Sequence, residues 1–484
     1  MRTNLLVAIR ELFKRRGFSA ALFGVLLGLL LARFIQITPF AAMIVLCSGI
    51  TFVLVVLLRK ADLLIFGWFF LTSFFYLIIY RFFPYVLPPE YYRLLGTVMF
   101  WGLLVCVMAA WAIDNTVCGR SFRPLSELPL SLILVLALFV LWSGLTMISS
   151  VDVYHSAKQW SHILIGLGLS YMFYDFFSRD ESNLRRMFTL ISLLVMVMSL
   201  AVIAIALQGL ASGSEIYKAI SLWFWNPNVV GDFLFSFTPI LITSGFYFKP
   251  LKGMRFVFLA LVLLALFFSS ARTSWLAGLC SIAFLFWMSG RHKWALVAGS
   301  VALLVLAGMT VPLWRQPLYD FVAGPRYTGR QELWRAAWNV ACDYPVLGTG
   351  LGNCQEFMNE YIEVAWLRNQ NTHNAYLRNA ADMGFFSGAI TLAFYAIFFH
   401  SSWAIERALR SNYLRLAVRG TMATYVGMFV HDMFQNGSML TYFNAAEAHI
   451  MFPYILLALP FAAKILDERQ GNYGAEPASH RVRS

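Results

Sequence analysis

Charge is scarce in this chain. Asp, Glu, Lys and Arg make up 13% of its 484 residues, where a soluble domain carries about 25%. Acids are the rarer sign, 24 against 37 Lys and Arg. With 60% of the residues hydrophobic and a mean hydropathy of +0.68, a soluble globular domain is excluded. Cysteine is sparse too, at six, and no His, Cys and Asp cluster has the spacing of a metal site, so no metal is expected. Most of the cysteines fall in membrane or cytoplasmic segments and read as small core residues. Cys342 and Cys354 lie in an extramembrane loop, either bridged as a disulfide or packed as two unpaired thiols. The first apolar run lacks a small-residue cleavage site and reads as a retained helix. No fixed-period repeat is visible, which weakens a transporter built from inverted repeats.

What is present is apolar runs of about 17–25 residues, suited to helices and not to the alternation of a barrel strand. They fall near 18–34, 39–58, 62–81, 94–113, 129–148, 157–177, 187–208, 228–247, 254–271, 273–289, 294–312, 381–402, 416–435 and 447–466. The fold class is therefore an all-α, polytopic integral membrane protein of about 12–14 transmembrane helices, forming a single transmembrane domain over 1–484. With the N-terminus inside, 25 of the 37 Lys and Arg fall in inner segments. The positive-inside rule then makes both termini cytoplasmic, puts the loop 313–379 outside and leaves 467–484 as a polar cytoplasmic tail. The net charge of +13 is thus topology, with attraction to anionic lipid heads of the phospholipid bilayer. No nucleic-acid partner is expected.

The loop 313–379 carries the chain's densest polar motifs. Gly329–Cys342 reads as a helix with Trp334, Ala337, Trp338 and Ala341 on one face, as expected of an amphipathic helix resting in the membrane interface. Pro345 ends it, and Gly348, Gly350 and Gly352 make a turn-rich connector. A second helical piece is expected over 355–366. His373 should sit near the outer membrane surface, just before the next membrane helix.

Three residues stand out chemically. Arg272, at the outer turn between two apolar runs, offers a fork of donors to phosphate oxygens, or is a snorkelling arginine at a helix end. Arg330, in the first turn of the loop helix, combines a guanidinium with a helix N-terminus as an anion site, or is solvated or in surface contact with Glu332. Arg326 and Arg335 fit the solvated reading better. His373, the loop's only histidine, could titrate near neutral pH as a general base requires, or be structural. Asp232, Asp382 and Asp432 flank membrane helices, and Asp382 is the one expected nearest the site.

Taken in order, Asn226-Pro227-Asn228, Ser270-Ala271-Arg272-Thr273-Ser274-Trp275, Gly329-Arg330 through Trp334, Pro345 through Gly352, His373-Asn374-Ala375-Tyr376-Leu377 and Met383-Gly384 resemble the O-antigen ligase/polymerase superfamily. The resemblance spans roughly 225–395. It implies a GT-C-like membrane glycosyltransferase with a long helical periplasmic loop and a periplasmic active site in the bacterial inner membrane. The implied donor is an undecaprenyl-pyrophosphate-linked glycan. The implied acceptor is lipid A–core for a ligase or another repeat unit for a polymerase. Matched position by position, Arg272 and Arg330 are the pyrophosphate-binding arginines and His373 the essential loop histidine. No cofactor is implied.

The residues agree with a metal-free reaction. The external loops 35–38 and 82–93 hold one acid, Glu90, and lack the paired acids that a metal-dependent relative would need. Two arginines in a low-dielectric site can neutralise the leaving pyrophosphate. Direct attack would invert the anomeric centre. An O-antigen ligase is the leading reading, with a polymerase or a protein glycan ligase as rivals and a transporter or flippase as the alternative from another class.

Overall fold

The computed structural model describes residues 121–213, 216, 219–220, 227–245, 255–310, 329–435 and 452–475, with isolated positions 65, 104, 107, 108, 111, 112 and 115. The chain divides into two compact units, Met1–Pro124 and Leu125–Ser484. In the first, the isolated positions are helical, and Trp111 meets Phe122 edge to face at 5.2 Å. The runs expected over 18–34, 39–58, 62–81 and 94–113 lie largely outside the described residues, as do 311–328 and 476–484.

In the second unit every regular element among the described residues is a helix. The order is α1 (Leu130–Leu145), α2 (Val153–Phe177), α3 (Glu181–Ala211), α4 (Pro227–Gly245), α5 (Arg255–Phe268), α6 (Arg272–Met288) and α7 (His292–Thr310). It continues through α8 (Arg330–Asp343), α9 (Cys354–Met358), α10 (Ala375–Met383), α11 (Phe385–Ala408), α12 (Asn412–His431), α13 (Phe452–Leu457) and α14 (Leu459–Ala475). Among the described residues, three stretches are long and apolar enough to cross a membrane, Leu130–Ser149, Glu181–Ala211 and Phe385–Ala408. Asn228–Thr243, Val257–Phe268 and Arg272–Met288 are shorter apolar helices.

Local chemistry sets where the helices start. Asp152 accepts the His155 N–H at 2.9 Å and begins α2 four residues before the apolar run. Asp180 does the same for α3 through the Ser182 N–H at 2.9 Å. Both are N-caps satisfying otherwise orphaned donors.

Helix α4 packs against α3, α5, α6 and α12, and α12 also touches α11, α13 and α14. Small residues allow the close approach. A Cβ on Gly427 of α12 would stand 2.1 Å from Ser281 Oγ of α6, and one on Gly231 of α4 would stand 2.5 Å from the Ala271 Cβ. Thr424 Oγ1 crosses from α12 to donate to the Ser236 carbonyl of α4 at 2.9 Å.

Two polar ends result. At one, Asp467 accepts the backbone N–H groups of Arg410 and Ser411 at 3.0 and 2.8 Å, Arg419 pairs with Glu406 at 2.7 Å, and Arg469 donates to the Ser178 carbonyl at 3.0 Å. The basic segments 178–186, 403–419 and 464–470 are therefore neighbours. At the other end lie α8, α9, α10 and their connectors.

Candidate functional site

The platform begins with α8. Its buried stripe is Leu333, Ala336, Ala337, Val340 and Ala341, at helical spacing, and it closes on Cys354, Met358, Ile362, Leu367, Ala380 and Ala381. The apolar face thus packs on protein. This corrects the expectation that it rests in the membrane interface: only Trp338 is well exposed, lying edge-on to Phe385 at 5.5 Å.

The glycine connector is held by backbone contact. Gly348, Gly350, Gly352 and Gly384 all have positive φ. A Cβ on Gly348 would stand 2.3 Å from the Asp382 carbonyl carbon, and one on Gly384 would stand 1.9 Å from the Val346 oxygen. The Thr349 N–H donates to the Ala381 carbonyl at 3.0 Å. On its other side, Asn353 Nδ2 donates to the Ser150 and Ser156 hydroxyls, both at 2.8 Å.

Asp382 fastens this assembly. Its Oδ1 accepts the Cys354 N–H at 2.8 Å and its Oδ2 accepts Arg378 Nε at 3.2 Å. Arg378 also donates to Asn371 Oδ1 at 2.9 Å. The pair is fully buried, with side-chain exposures of 0% and 1%. Asp382 was expected nearest the site; it instead supports the loop from beneath. Cys342 is exposed and Cys354 buried, and both are free thiols.

His373 follows Thr372 in a left-handed conformation, φ 49°. Asn374 is the N-cap of α10, accepting the Leu377 N–H at 2.9 Å, and its Nδ2 donates to the Met433 carbonyl at 3.0 Å. The Ala375 N–H donates to the Asp432 carbonyl at 2.8 Å. These bonds clip the His373 segment to the end of α12. There His373 Nδ1 meets Gln435 Oε1 at 2.7 Å. A carboxamide oxygen only accepts, so Nδ1 carries the proton and the Nε2 lone pair is left for chemistry. Burial, helped by the positive charge of Arg330, pushes the ring's pKa down to about 4. This corrects the expectation of titration near neutrality, since a desolvated ring beside a cation resists a second charge.

Arg330 is the first residue of α8, preceded by Gly329 at φ 62°, where a Cβ would stand 2.2 Å from Leu367. The Glu332 carboxylate does not serve Arg330; it accepts the backbone N–H groups of Glu363 and Val364 at 3.1 and 3.3 Å. One turn along, Trp334 lies tilted against Phe434 with ring centroids 6.1 Å apart, and its indole N–H is buried with no hydrogen-bond partner among the described residues. Arg335 is exposed, and Arg326 lies outside the described residues.

Arg272 opens α6 after Ser270, itself left-handed at φ 58°. Ser274, in the same first turn, donates to Asp232 Oδ1 at 2.7 Å, and the same oxygen meets His431 Nε2 at 2.8 Å. Asp232 thereby ties the N-terminal turn of α6 to the C-terminal end of α12. Arg272, Arg330 and His373 therefore all belong to one end of the bundle. Gln435 was not anticipated, because a glutamine after an apolar run carries no sequence signal of its partner. Among the described residues no group of three His, Cys, Asp or Glu is placed to hold a metal ion.

Residues 257–393 match the sequence family described as O-antigen ligase. The match runs from α5 into α11 and includes Arg272, Arg330 and His373, and it supports the O-antigen ligase superfamily for this chain. No curated protein matches the chain.

Proposed function

We propose that this chain, with its O-antigen ligase region, is a glycosyltransferase that moves a glycan from undecaprenyl pyrophosphate to a hydroxyl of lipid A–core at the periplasmic face of the inner membrane. The observation that carries the reading is the convergence of Arg330, His373 and Gln435, with Arg272 tied to the same end through Ser274, Asp232 and His431. Arg272 and Arg330 hold the pyrophosphate and neutralise charge as the anomeric C–O bond breaks and its electron pair departs with phosphate. The Trp334 N–H is a further donor within one helical turn of Arg330.

His373 Nε2 takes the proton of the acceptor hydroxyl as its oxygen forms the new bond to the anomeric carbon, with inversion. At pH 7 the ring is neutral and able to accept. The pyrophosphate beside Arg330 offsets the guanidinium charge and raises the ring's basicity when the donor is bound. Gln435 keeps the reactive nitrogen turned to the acceptor. The GT-C-like class, the periplasmic loop 313–379, the inward termini and metal independence belong to this proposal. A polymerase or protein glycan ligase would use the same donor machinery and differ in the acceptor.

The test is a purified assay with labelled lipid-linked glycan and lipid A–core, run with and without chelator. Wild type should label lipid A–core under both conditions. His373→Ala and Arg272→Ala should abolish transfer while keeping normal membrane levels. Gln435→Ala, losing one hydrogen bond of about 1.5 kcal/mol, should lower kcat about tenfold. Transport without a new glycosidic bond, or full activity in His373→Ala and Arg272→Ala, would refute the assignment.

A further inference from the structure

A cavity of about 450 Å³ lies at the opposite, basic end of the bundle, where α6 and α7 meet the α11–α12 turn. Its lining includes Arg407, Arg415 and Arg419 together with Trp287 and Trp403. Glu406 is its one acid, and Arg419 occupies it at 2.7 Å. Arg415 reaches Glu406 only at 4.0 Å; its terminal nitrogen donates to the Leu409 carbonyl, and its Nε–H has no hydrogen-bond partner among the described residues. Arg407 is exposed and lies over the Trp403 ring at 5.2 Å. Three guanidinium groups against one carboxylate leave the cavity net positive.

Its walls continue as an aromatic ladder. Trp287 meets Trp403 at 5.3 Å and Phe284 at 5.7 Å, and Phe284 meets Phe399 at 6.3 Å. Trp287 is 46% exposed, and Phe284 and Phe399 are partly exposed. The ladder descends between α6 and α11 from a cationic mouth. A free anion would use the mouth and leave the ladder idle, whereas an amphiphile uses both. Indoles at helix ends favour the membrane–water boundary, and basic pockets between membrane helices bind lipid heads.

We propose that this cavity is a binding site for an anionic phospholipid, its phosphate held by Arg407 and Arg415 and an acyl chain seated along Trp287, Phe284 and Phe399. The inference rests on the membrane reading of the chain and is independent of the transfer reaction.

The test is native mass spectrometry of the full chain released from nanodiscs holding equal amounts of phosphatidylglycerol and phosphatidylcholine. Wild type should retain phosphatidylglycerol in preference, and excess soluble glycerol phosphate should not displace it. Arg407→Gln, at an exposed side chain that the fold does not need, should lower that retention about fivefold, as should Arg415→Gln. Arg186→Gln, exposed at the same end but away from the cavity, should leave it unchanged. Equal retention of both lipids would overturn the proposal. So would unaltered retention in Arg407→Gln, an equal loss in Arg186→Gln, or displacement by glycerol phosphate, which would mark a soluble-anion site instead.

Discussion

Asp382→Ala removes the single carboxylate that serves both the buried Arg378 and the Cys354 backbone. Orphaning a fully buried guanidinium costs about 3–5 kcal/mol, and the exposures of 0% and 1% place this pair in that regime. Losing the acceptor of the Cys354 N–H adds about 1–3 kcal/mol. Because the two bonds share one group the terms do not simply add, and about 4–6 kcal/mol is expected. The buried Cys354 thiol, whose pKa burial raises well above the ordinary range, is a built-in reporter. Its alkylation, read by peptide mass spectrometry on protein in detergent, should speed up on the order of a thousandfold in Asp382→Ala as the loop opens. Asp382→Asn keeps an acceptor and loses the charge, so it should fall between. Exposed Cys342 should label rapidly in all forms and serve as the internal standard. Cys354 alkylation within about threefold of wild type in Asp382→Ala would show that the pair does not hold the loop.

Two further outcomes follow from the same geometry. The pKa of His373 is depressed, so its neutral form persists as pH falls and is lost only near pH 4; the acid limb of kcat/KM should lie there. Arg330→Gln removes one cause of the depression, so the His373 pKa, read by NMR titration of the imidazole, should move up, though not to 6.5 because burial remains the larger cause; an unmoved pKa would separate the two residues. Gly384→Ala, at φ 75° with a Cβ 1.9 Å from the Val346 oxygen, should destabilise by about 3 kcal/mol or more in thermal unfolding, whereas Gly388→Ala, with open space at its Cβ, should be neutral or slightly stabilising.

Much of this was legible in the residues, and the failures have physical causes. The loop helix expected over Gly329–Cys342 is found at Arg330–Asp343, since Gly329 before it and Pro345 after it are strong punctuation. The helix expected over 355–366 shrinks to Cys354–Met358 and a 3₁₀ turn at Ala365–Leu367. A side chain competes for its backbone: Glu332 takes the N–H groups of Glu363 and Val364. The run expected over 381–402 is entered by α10 and broken at Gly384, because hydropathy is blind to a positive-φ residue. The arginines and His373 could be nominated from motif and charge. Gln435, about sixty residues further on, could be paired with His373 only through the return of α12.

The Asp382 fastening also bears on how large lipid-borne molecules could come and go. A flap that swings open must expose its underside at little cost, yet here the underside holds a guanidinium that water would have to meet unpaired. The stretch from Pro345 to Met383 therefore behaves as masonry and not as a door. Under the proposed function, a donor reaching His373 would pass sideways between helices or over the rim, and its exchange rate should be insensitive to mutations that stiffen this loop further.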